Sequence, residues 1–264
     1  MSKKALVVDN DFFFVEFLTE LLEKRGYEVS KAYDGKEGIS KLEEGPLDLL
    51  FVDLVMPKID GKELIKFTRK KFPEAHLTIV AVSATLIERL DVLNEIGADY
   101  YIAKGPMEKM ADHVNRFMDK IEKQPFTAPN AEDLLEPGEV QPMQITVELM
   151  DTVNFHRSIT ESIGAGIMVV DRDARIIDAN SLALTIINKS LEDILNCPIT
   201  AILPEREKAK LTNALKGVIQ NQGLRKITFY VTIHSQEIRV IASLFKIDDK
   251  IAGWIVAMEG TTNG

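Results

Sequence analysis

The chain has 264 residues, a length at which one large domain or two ordinary domains are expected. Hydrophobic residues make up 45% of the sequence and charged residues 28%, which is typical of a folded globular protein and argues against disorder. The net charge of −9 argues against a general nucleic-acid binder or membrane-surface binder, because such proteins are usually basic.

The sequence predicts a cytoplasmic protein. Cys197 is the single cysteine and has no partner for an internal disulfide, which is typical of a reducing compartment. The apolar stretch near the start of the chain is too short for the core of a signal peptide. No run approaches the roughly 18–20 apolar residues of a membrane-spanning helix, so we expect no membrane span.

The first 123 residues alternate between strand and helix patterns. Short apolar runs predict four strands, Ala5–Val8, Leu47–Val52, Leu77–Val82 and Tyr100–Ala103, and a weaker run near Glu28–Ala32 predicts a fifth. Segments with helical spacing lie between the strands and after the last one, and Leu86, Leu90 and Leu93 mark the fourth of five predicted helices. Apolar strands that alternate with helices are typical of a parallel sheet covered on both faces. We therefore predict an α/β domain over residues 1–123, with a doubly wound five-stranded parallel sheet.

Residues 124–142 form a predicted linker. The segment holds four of the ten prolines and four acidic residues, and it has no basic residue. Proline stops a helix and removes a hydrogen-bond donor, so this stretch is expected to be extended and solvated.

Residues 143–163 are predicted to form an amphipathic connecting helix. Six residues, four apolar and two polar, recur at heptad spacing: Ile145, Leu149, Thr152, His156, Ile159 and Ile163. Such a seam either pairs with a second copy or packs on the domain that follows it. We expect a homodimer through this helix and the following domain.

Residues 164–264 have a different order of elements. Two predicted strands (Gly166–Asp171 and Arg175–Ala179) are followed by helical segments over about 180–222. Three more strands then close the chain: Arg225–Ile233, Glu237–Ile247 and Ile251–Glu259. This order predicts an α+β domain with a five-stranded antiparallel sheet and helices on one side.

Polar side chains follow the predicted parallel strands. The sequence Asp9-Asn10-Asp11 follows the first strand, and Asp53 ends the third. Ser83 and Lys104 end the fourth and fifth. Ligands of doubly wound sheets bind at the carboxyl ends of the strands. Clustered carboxylates there favour a hard divalent metal, and the metal and the lysine would support phosphoryl transfer to a free carboxylate.

At these positions the chain resembles the receiver domain of two-component response regulators, which has a flavodoxin-like fold. The matching stretches are VVDND (Val7–Asp11), FVDLVMPKIDG (Phe51–Gly61), VSA (Val82–Ala84) and YIAKGP (Tyr101–Pro106). The resemblance implies that Asp53 is the phosphoacceptor. It also implies that Ser83 hydrogen-bonds the phosphoryl group, that Lys104 ion-pairs with it, and that Tyr101 is an aromatic switch residue.

The same resemblance implies a Mg²⁺ site made by Asp9, Asn10, Asp53 and the backbone carbonyl of Val55. Asn10 departs from the family, which usually has a second acidic residue here. An amide oxygen can bind Mg²⁺ but brings no charge, so we predict weaker Mg²⁺ binding unless Asp11 compensates. Gly105 also departs from the family, since it separates Lys104 from a proline that usually follows directly.

The second half resembles a PAS domain. The matching stretches are AGIMVVDRDARIIDAN (Ala165–Asn180), LALTIINKSLEDILNCPITAILP (Leu182–Pro204) and GWIVAMEGTT (Gly253–Thr262). PAS domains bind small ligands in some proteins and only mediate association in others, so the PAS ligand is unknown. Haem is not favoured, because the long helix over 205–222 has no histidine. Flavin is not favoured either, because Cys197 lacks the sequence context of the photoreactive cysteine, and we expect it to be a small buried side chain.

Together the two resemblances imply a response regulator. A sensor histidine kinase or a phosphotransfer protein would phosphorylate Asp53 in a Mg²⁺-dependent reaction, and this would change PAS-mediated dimerisation or the binding of a downstream protein. The alternative is a PAS domain that senses a small molecule or cofactor, with the receiver integrating both signals. We do not expect an enzyme with an external substrate, since the receiver only assists its own phosphorylation and dephosphorylation. Few residues follow the last predicted strand, so we also expect no catalytic or DNA-binding output module and no nucleic-acid or membrane partner.

Overall fold

The computed structural model describes residues 3–73, 76–83, 96–104, 107–123, 158–220, 226–247 and 250–260. The chain divides into two compact units, Met1–Asp151 and Thr152–Gly264. This division falls inside the predicted connecting helix, of which only residues 158–163 are described.

The first unit is built on a parallel sheet of five strands: β1 (Lys3–Val8), β2 (Tyr27–Ala32), β3 (Leu49–Asp53), β4 (Thr78–Ser83) and β5 (Tyr100–Ala103). Their order is β2-β1-β3-β4-β5, and the pairing is parallel throughout. The described helices are α1 (Phe12–Lys24), α2 (Gly35–Glu43), α3 (Gly61–Lys71) and α4 (Met107–Lys123). The predicted α/β fold is confirmed, while the helix predicted around Leu86–Leu93 lies outside the described residues.

The sheet has apolar side chains on both faces. Alternate strand residues such as Val7, Phe51 and Val82 pack in one buried cluster with side chains of α1 and α4. On the other face α2 lies close to β1, where a Cβ added at Gly38 would lie 2.9 Å from the Leu64 side chain and 3.1 Å from that of Val8. Burial on both faces explains why β1, β3 and β4 contain continuous apolar runs.

Three helices of this unit begin at an aspartate that caps them. Asp11, Asp34 and Asp60 accept hydrogen bonds from the backbone N–H groups at the starts of α1, α2 and α3. A carboxylate at this position satisfies free N–H groups and interacts favourably with the helix dipole. Because α1 starts shortly after β1, the cap of Asp11 also fixes the chain beside the strand end.

Arg25 joins the end of α1 to α4. Its guanidinium donates to the side-chain and backbone oxygens of Asn115, at 3.1 and 3.0 Å, to Asp119 at 2.7 Å and to Glu122 at 3.0 Å. Glu122 is also close to the hydroxyl of Tyr27, whose pKa is raised to about 12 by burial and by this carboxylate. The last turns of α4 are therefore attached to their own domain by polar contacts as well as by packing.

Replacing Arg25 with Ala is expected to lower the free energy of unfolding of the first unit by about 1–2 kcal/mol, because several hydrogen bonds to charged groups are lost at once. Hydrogen exchange of peptides from α4 would measure the change. Lys24→Ala is the matched control, since Lys24 makes one exposed ion pair within α1, with Glu20, that contributes about 0.5 kcal/mol or less. Equal effects of the two substitutions would contradict this account.

The second unit is built on an antiparallel sheet: β6 (Gly166–Asp171), β7 (Ile176–Ala179), β8 (Lys226–Ile233), β9 (Gln236–Ile247) and β10 (Lys250–Gly260). Its order is β7-β6-β10-β9-β8. The helices α5 (Ser181–Ile187), α6 (Leu191–Ile194) and α7 (Glu205–Gln220) and a 3₁₀ turn (Ile199–Ile202) lie between β7 and β8. The predicted α+β arrangement is confirmed. Among the described helices of both units, none is long and apolar enough to cross a membrane.

Strand β8 is an edge strand, and two side chains of α7 bind its outer edge. Lys210 donates to the carbonyl of Tyr230 at 3.0 Å, and the carboxylate of Glu207 accepts from the backbone N–H of Thr232. The Lys210 ammonium lies 2.8 Å from Glu207, and its hydrogen bond contributes most to holding the pKa of Glu207 below its ordinary value. Backbone groups of the edge are therefore satisfied by side chains of the same domain.

Asn180 connects the segment that enters this unit to the sheet. Its side-chain amide donates to the carbonyls of Thr160 and Ala165, at 2.8 and 2.9 Å. Its Oδ1 accepts from the N–H groups of Ile167 and Ala183, at 2.8 and 3.0 Å. All the hydrogen-bonding capacity of this buried side chain is used, so residues 158–162, which are helical, are attached to the core.

The heptad seam is only partly described. Ile159 and Ile163 are large apolar side chains with much of their surface exposed. His156 and the rest of the seam lie outside the described residues, so the homodimer stays a prediction.

Candidate functional site

The strand register brings the predicted site residues of the receiver to one end of the sheet. Val8 pairs with Val52, Asp53 with Val82, and Ser83 with Ala103. Asp9 and Lys104 directly follow paired residues, so both lie at the same carboxyl-terminal edge as Asp53 and Ser83. This is the edge at which ligands of doubly wound sheets bind.

The ammonium of Lys104 lies between two buried carboxylates. Nζ is 2.7 Å from Oδ2 of Asp9 and 2.8 Å from Oδ2 of Asp53. Asp9 is 1% exposed and Asp53 is 6% exposed. Residues from the ends of three strands therefore meet at one ammonium group, as the sequence predicted.

The charges of this cluster depend on one another. Burial raises the pKa of Asp9, the positive charge of Lys104 opposes this rise, and the negative charge of Asp53 adds to it. Burial alone would lower the pKa of Lys104, but Asp53 and Asp9 outweigh burial and raise it. Lys104 is therefore a stable cation, whereas the ionised form of Asp9 is disfavoured by its surroundings.

One oxygen of this cluster is suited to a cation. Oδ1 of Asp9 accepts from the N–H of Asp11 at 2.9 Å, and Oδ1 of Asp53 accepts from the N–H of Val55 at 3.2 Å. Oδ2 of Asp9 is buried and has the distance of an ion pair to Lys104, and it has no other hydrogen-bond partner among the residues that the structure describes. A buried carboxylate oxygen that contacts only a movable lysine among the described residues, beside a second carboxylate, fits a hard divalent metal.

The remaining predicted metal ligands contribute less charge. Asn10 is exposed at the rim, and the backbone of Val55 lies next to the Asp53 carboxylate. The Asp11 carboxylate accepts from Phe13 N–H at 2.9 Å and from Phe14 N–H at 3.3 Å, so it serves as a helix cap. Within the described ranges no group of three or more His, Cys, Asp or Glu side chains is placed to hold a metal. The acidic contribution at this edge therefore comes from Asp9 and Asp53.

Ser83 and Tyr101 lie at the fourth and fifth strands. Ser83 is buried, and its carbonyl accepts from the N–H of Lys104 at 2.9 Å. Tyr101 is half-buried, and burial raises the pKa of its hydroxyl to about 12. The hydroxyl therefore stays protonated at any physiological pH. Gly105 and Pro106 lie outside the described residues.

The loop after Asp53 packs tightly against the strand end. Gly61, the first residue of α3, lies so close to the backbone carbonyl of Asp53 that a Cβ would clash with it. Lys58, which has a left-handed backbone with φ 70°, forms a 2.5 Å ion pair with Asp34. The loop is thereby fixed beside the predicted phosphoacceptor.

Sequence reasoning missed the three phenylalanines at this site. Nζ of Lys104 lies 4.7 Å from the centroid of the Phe14 ring, and Phe14 is buried. Phe12 stacks on Tyr33 with ring centroids 5.8 Å apart, and Phe13 is 76% exposed. Three consecutive phenylalanines directly after the acidic segment were the signal in the sequence.

The second unit differs from the sequence predictions in detail. Cys197 is partly exposed and not buried as predicted, because it lies in a turn after α6 where its Sγ contacts the carbonyl of Asp193 at 3.8 Å. The core of the second unit is filled by apolar side chains such as Met168, Val240 and Trp254. His234 lies in the β8–β9 turn, and its Nε2 is 3.1 Å from the carbonyl of Ile187.

Comparisons with known proteins match both units. The sequence profile of the response regulator receiver domain matches residues 5–115, and that of the PAS fold matches residues 160–263. A solved CheY-like receiver domain from Methanospirillum hungatei JF-1 is 28% identical and covers 47% of this chain and 98% of its own, with a TM-score of 0.40. Receiver domains are signalling domains and not conventional enzymes.

Three curated relatives align with parts of the chain. Response regulator GtcR of Aneurinibacillus migulanus is 32% identical over 114 residues, which are 42% of this chain and 46% of that protein. The alkaline phosphatase synthesis transcriptional regulatory protein PhoP of Bacillus subtilis (strain 168) is 39% identical over 105 residues, which are 39% of this chain and 43% of PhoP. Sensor histidine kinase TmoS of Ectopseudomonas mendocina is 25% identical over 232 residues, which are 83% of this chain and 24% of that protein.

The chain thus spans less than half the length of each of these relatives. The two profiles together match residues in both compact units, and both predicted resemblances are confirmed. The chain therefore contains a response regulator receiver domain followed by a domain of the PAS fold.

Proposed function

We propose that Asp53 accepts a phosphoryl group from a sensor histidine kinase or a phosphotransfer protein. The observation that carries this proposal is the contact of one ammonium, that of Lys104, with the carboxylates of Asp53 and Asp9 at the ligand-binding edge of the sheet. A buried carboxylate held by a cation is a suitable nucleophile for a phosphoryl group whose charge must be neutralised.

In the proposed reaction an oxygen of Asp53 forms a bond to phosphorus while the P–N bond of a phosphohistidine breaks and the imidazole leaves. Lys104 moves its charge from the carboxylate to the phosphoryl oxygens, and Ser83 hydrogen-bonds one of them. Rearrangement of Ser83 and Tyr101 then changes the surface near β5. The receiver assists its own phosphorylation and dephosphorylation and has no external substrate.

We propose that Mg²⁺ binds at Asp9, Asn10, Asp53 and the carbonyl of Val55. When bound, the ion neutralises negative charge on the phosphoryl oxygens. The buried Oδ2 of Asp9, which has only the Lys104 ammonium as a partner among the described residues, supports this assignment. The exposed amide of Asn10 brings no charge to the proposed Mg²⁺ site.

Replacing Asn10 with Asp is therefore expected to tighten Mg²⁺ binding by about tenfold, since ligand charge sets the affinity of such sites. Isothermal titration calorimetry with MgCl₂ would measure this. Asn115→Asp, a change of the same kind on α4, serves as the control for added charge. An Asn10→Asp variant with unchanged affinity would show that this side chain does not contribute to the site.

The output is proposed to be a change in association. We assign residues 1–123 to the receiver, 124–142 to a linker, 143–163 to a connecting helix and 164–264 to the PAS domain. Phosphorylation would change PAS-mediated homodimerisation or the binding of a downstream protein. The exposed rings of Phe12 and Phe13 beside the crevice support recognition by a protein partner, because exposed aromatic side chains are enriched in interfaces.

The test is to add beryllofluoride and Mg²⁺ to the purified chain and to measure its mass by light scattering and its partners by pull-down. We expect a changed mass or a changed set of captured proteins in the wild type. Asp53→Asn should show neither change. Unchanged assembly together with unchanged capture would contradict the proposed output.

A further inference from the structure

The ring of Phe14 covers one side of the Lys104 ammonium. Nζ lies 4.7 Å from the ring centroid, and the two carboxylates of Asp9 and Asp53 contact the same ammonium at 2.7 and 2.8 Å. An aromatic face attracts a cation within about 6 Å of its centroid, and the attraction grows as water is excluded. The ammonium is therefore held by two negative groups and one aromatic face.

The ring is itself held in place from two directions. Phe14 lies in the first turn of α1, where Asp11 accepts a hydrogen bond from its backbone N–H at 3.3 Å. Its side chain is 5% exposed and packs in the core, with the ring of Phe17 6.0 Å away. The face that it presents to Lys104 therefore does not depend on the charges of the carboxylates.

We infer that Phe14 is a positioning residue for Lys104, an inference that rests on the proposed role of Lys104 in phosphorylation. When Asp53 gains a phosphoryl group, negative charge moves outward to the phosphoryl oxygens, and Lys104 must exchange its carboxylate contact for a phosphoryl contact. Phe14 is an uncharged neighbour of the ammonium that does not change in this exchange. A lysine has a flexible four-carbon chain, so a fixed ring that restricts its rotamers and excludes water keeps the ammonium ready for the new charge.

The first test is kinetic and uses Mg²⁺ with acetyl phosphate as a small phosphodonor. Replacing Phe14 with Leu removes the ring and keeps an apolar side chain, and it is expected to slow phosphorylation of Asp53 about three- to tenfold. Incorporating 3,4,5-trifluorophenylalanine at position 14 keeps the shape of the ring but weakens its negative face, and it should slow the reaction by a smaller factor. The same fluorinated residue at position 17 is the matched control and should leave the rate unchanged.

The second test reads the contact itself by NMR of the full chain. Protons above an aromatic face are shifted upfield, so the ε-CH₂ protons of Lys104 should resonate upfield in the wild type and return to ordinary values in Phe14→Leu. Absence of the upfield shift in the wild type would overturn the inference. A wild-type rate in the folded variant fluorinated at position 14 would overturn it as well, because packing alone would then explain the ring.

Failure of the proposed function would give a different result. A wild type that takes up no phosphoryl group, or a Lys104→Met variant that reacts at the wild-type rate, would contradict the proposed function, while the resonance of Lys104 would still report the ring contact.

Discussion

Replacing Asp53 with Asn is expected to lower phosphoryl incorporation by at least about 100-fold, because an amide is a far weaker nucleophile than a carboxylate. The wild type should acquire an alkali-labile modification when Mg²⁺ and acetyl phosphate are added, and Asp53→Asn should not. Gels that retard phosphorylated proteins would measure the difference.

Asp60→Asn is the matched control for this substitution. Asp60 lies in the same β3–α3 connection and caps α3 through the N–H of Glu63 at 2.8 Å, a role that Asn fills about as well. Phosphorylation of the Asp60→Asn variant should remain at the wild-type level. Equal incorporation in Asp53→Asn and the wild type would place the phosphoacceptor elsewhere.

Replacing Lys104 with Met is expected to destabilise the receiver by about 2–4 kcal/mol at pH 7.5, because two buried carboxylates lose the cation between them. Hydrogen exchange of peptides from β1 and β3 would measure the loss. The single tryptophan, Trp254, lies in the PAS domain, so its fluorescence in urea gives an internal control that should not change.

The pH dependence of this loss follows from the two pKa shifts. Lys104 has a raised pKa, so its contribution is present below its ordinary value of 10.5 and is lost as the pH rises through the raised value. Asp9 also has a raised pKa, so its ionised form opposes folding once the pH is above that value. In Lys104→Met the ionised Asp9 has lost the lysine that it contacts, and protonation of Asp9 removes this charge. The effect of Lys104→Met should therefore be largest between these two pKa values and should decrease towards pH 4.

Lys31→Met is the control for removing an ion-paired lysine. The Lys31 ammonium contacts Glu16 at 2.7 Å, but this pair is on the surface and is expected to contribute less than about 1 kcal/mol. Similar losses in Lys31→Met and Lys104→Met would show that burial of the carboxylates does not control the effect.

The fold and the charged residues of the site could be predicted from the sequence because both depend on local patterns. The apolar runs marked the strands to within a few residues, and the shared carboxyl edge of a parallel sheet then placed Asp9, Asp53, Ser83 and Lys104 together. The PAS strands could be placed in the same way, from Gly166–Asp171 to the last strand. Both predictions use only patterns formed by residues that are neighbours in the sequence.

The contacts of Phe14 and Arg25 could not be predicted, because they join residues about ninety positions apart. Whether the ring of Phe14 faces Lys104 depends on where α1 begins and on how that helix rotates against the sheet. Arg25 reaches Asn115 only because α1 and α4 lie on the same face of the sheet. The exposure of Cys197 depends on a turn whose shape the local sequence does not fix.

The side chains that bind the edge of β8 restrict how the PAS domain can associate. An unprotected edge strand offers its backbone to another strand, which leads to sheet extension between molecules. Lys210 and Glu207 already bind the carbonyl of Tyr230 and the N–H of Thr232. A continuous intermolecular sheet through this half of β8 would first have to displace both side chains. This half of β8 is thus protected against pairing with a strand of another molecule, and association through it would rely on side-chain contacts.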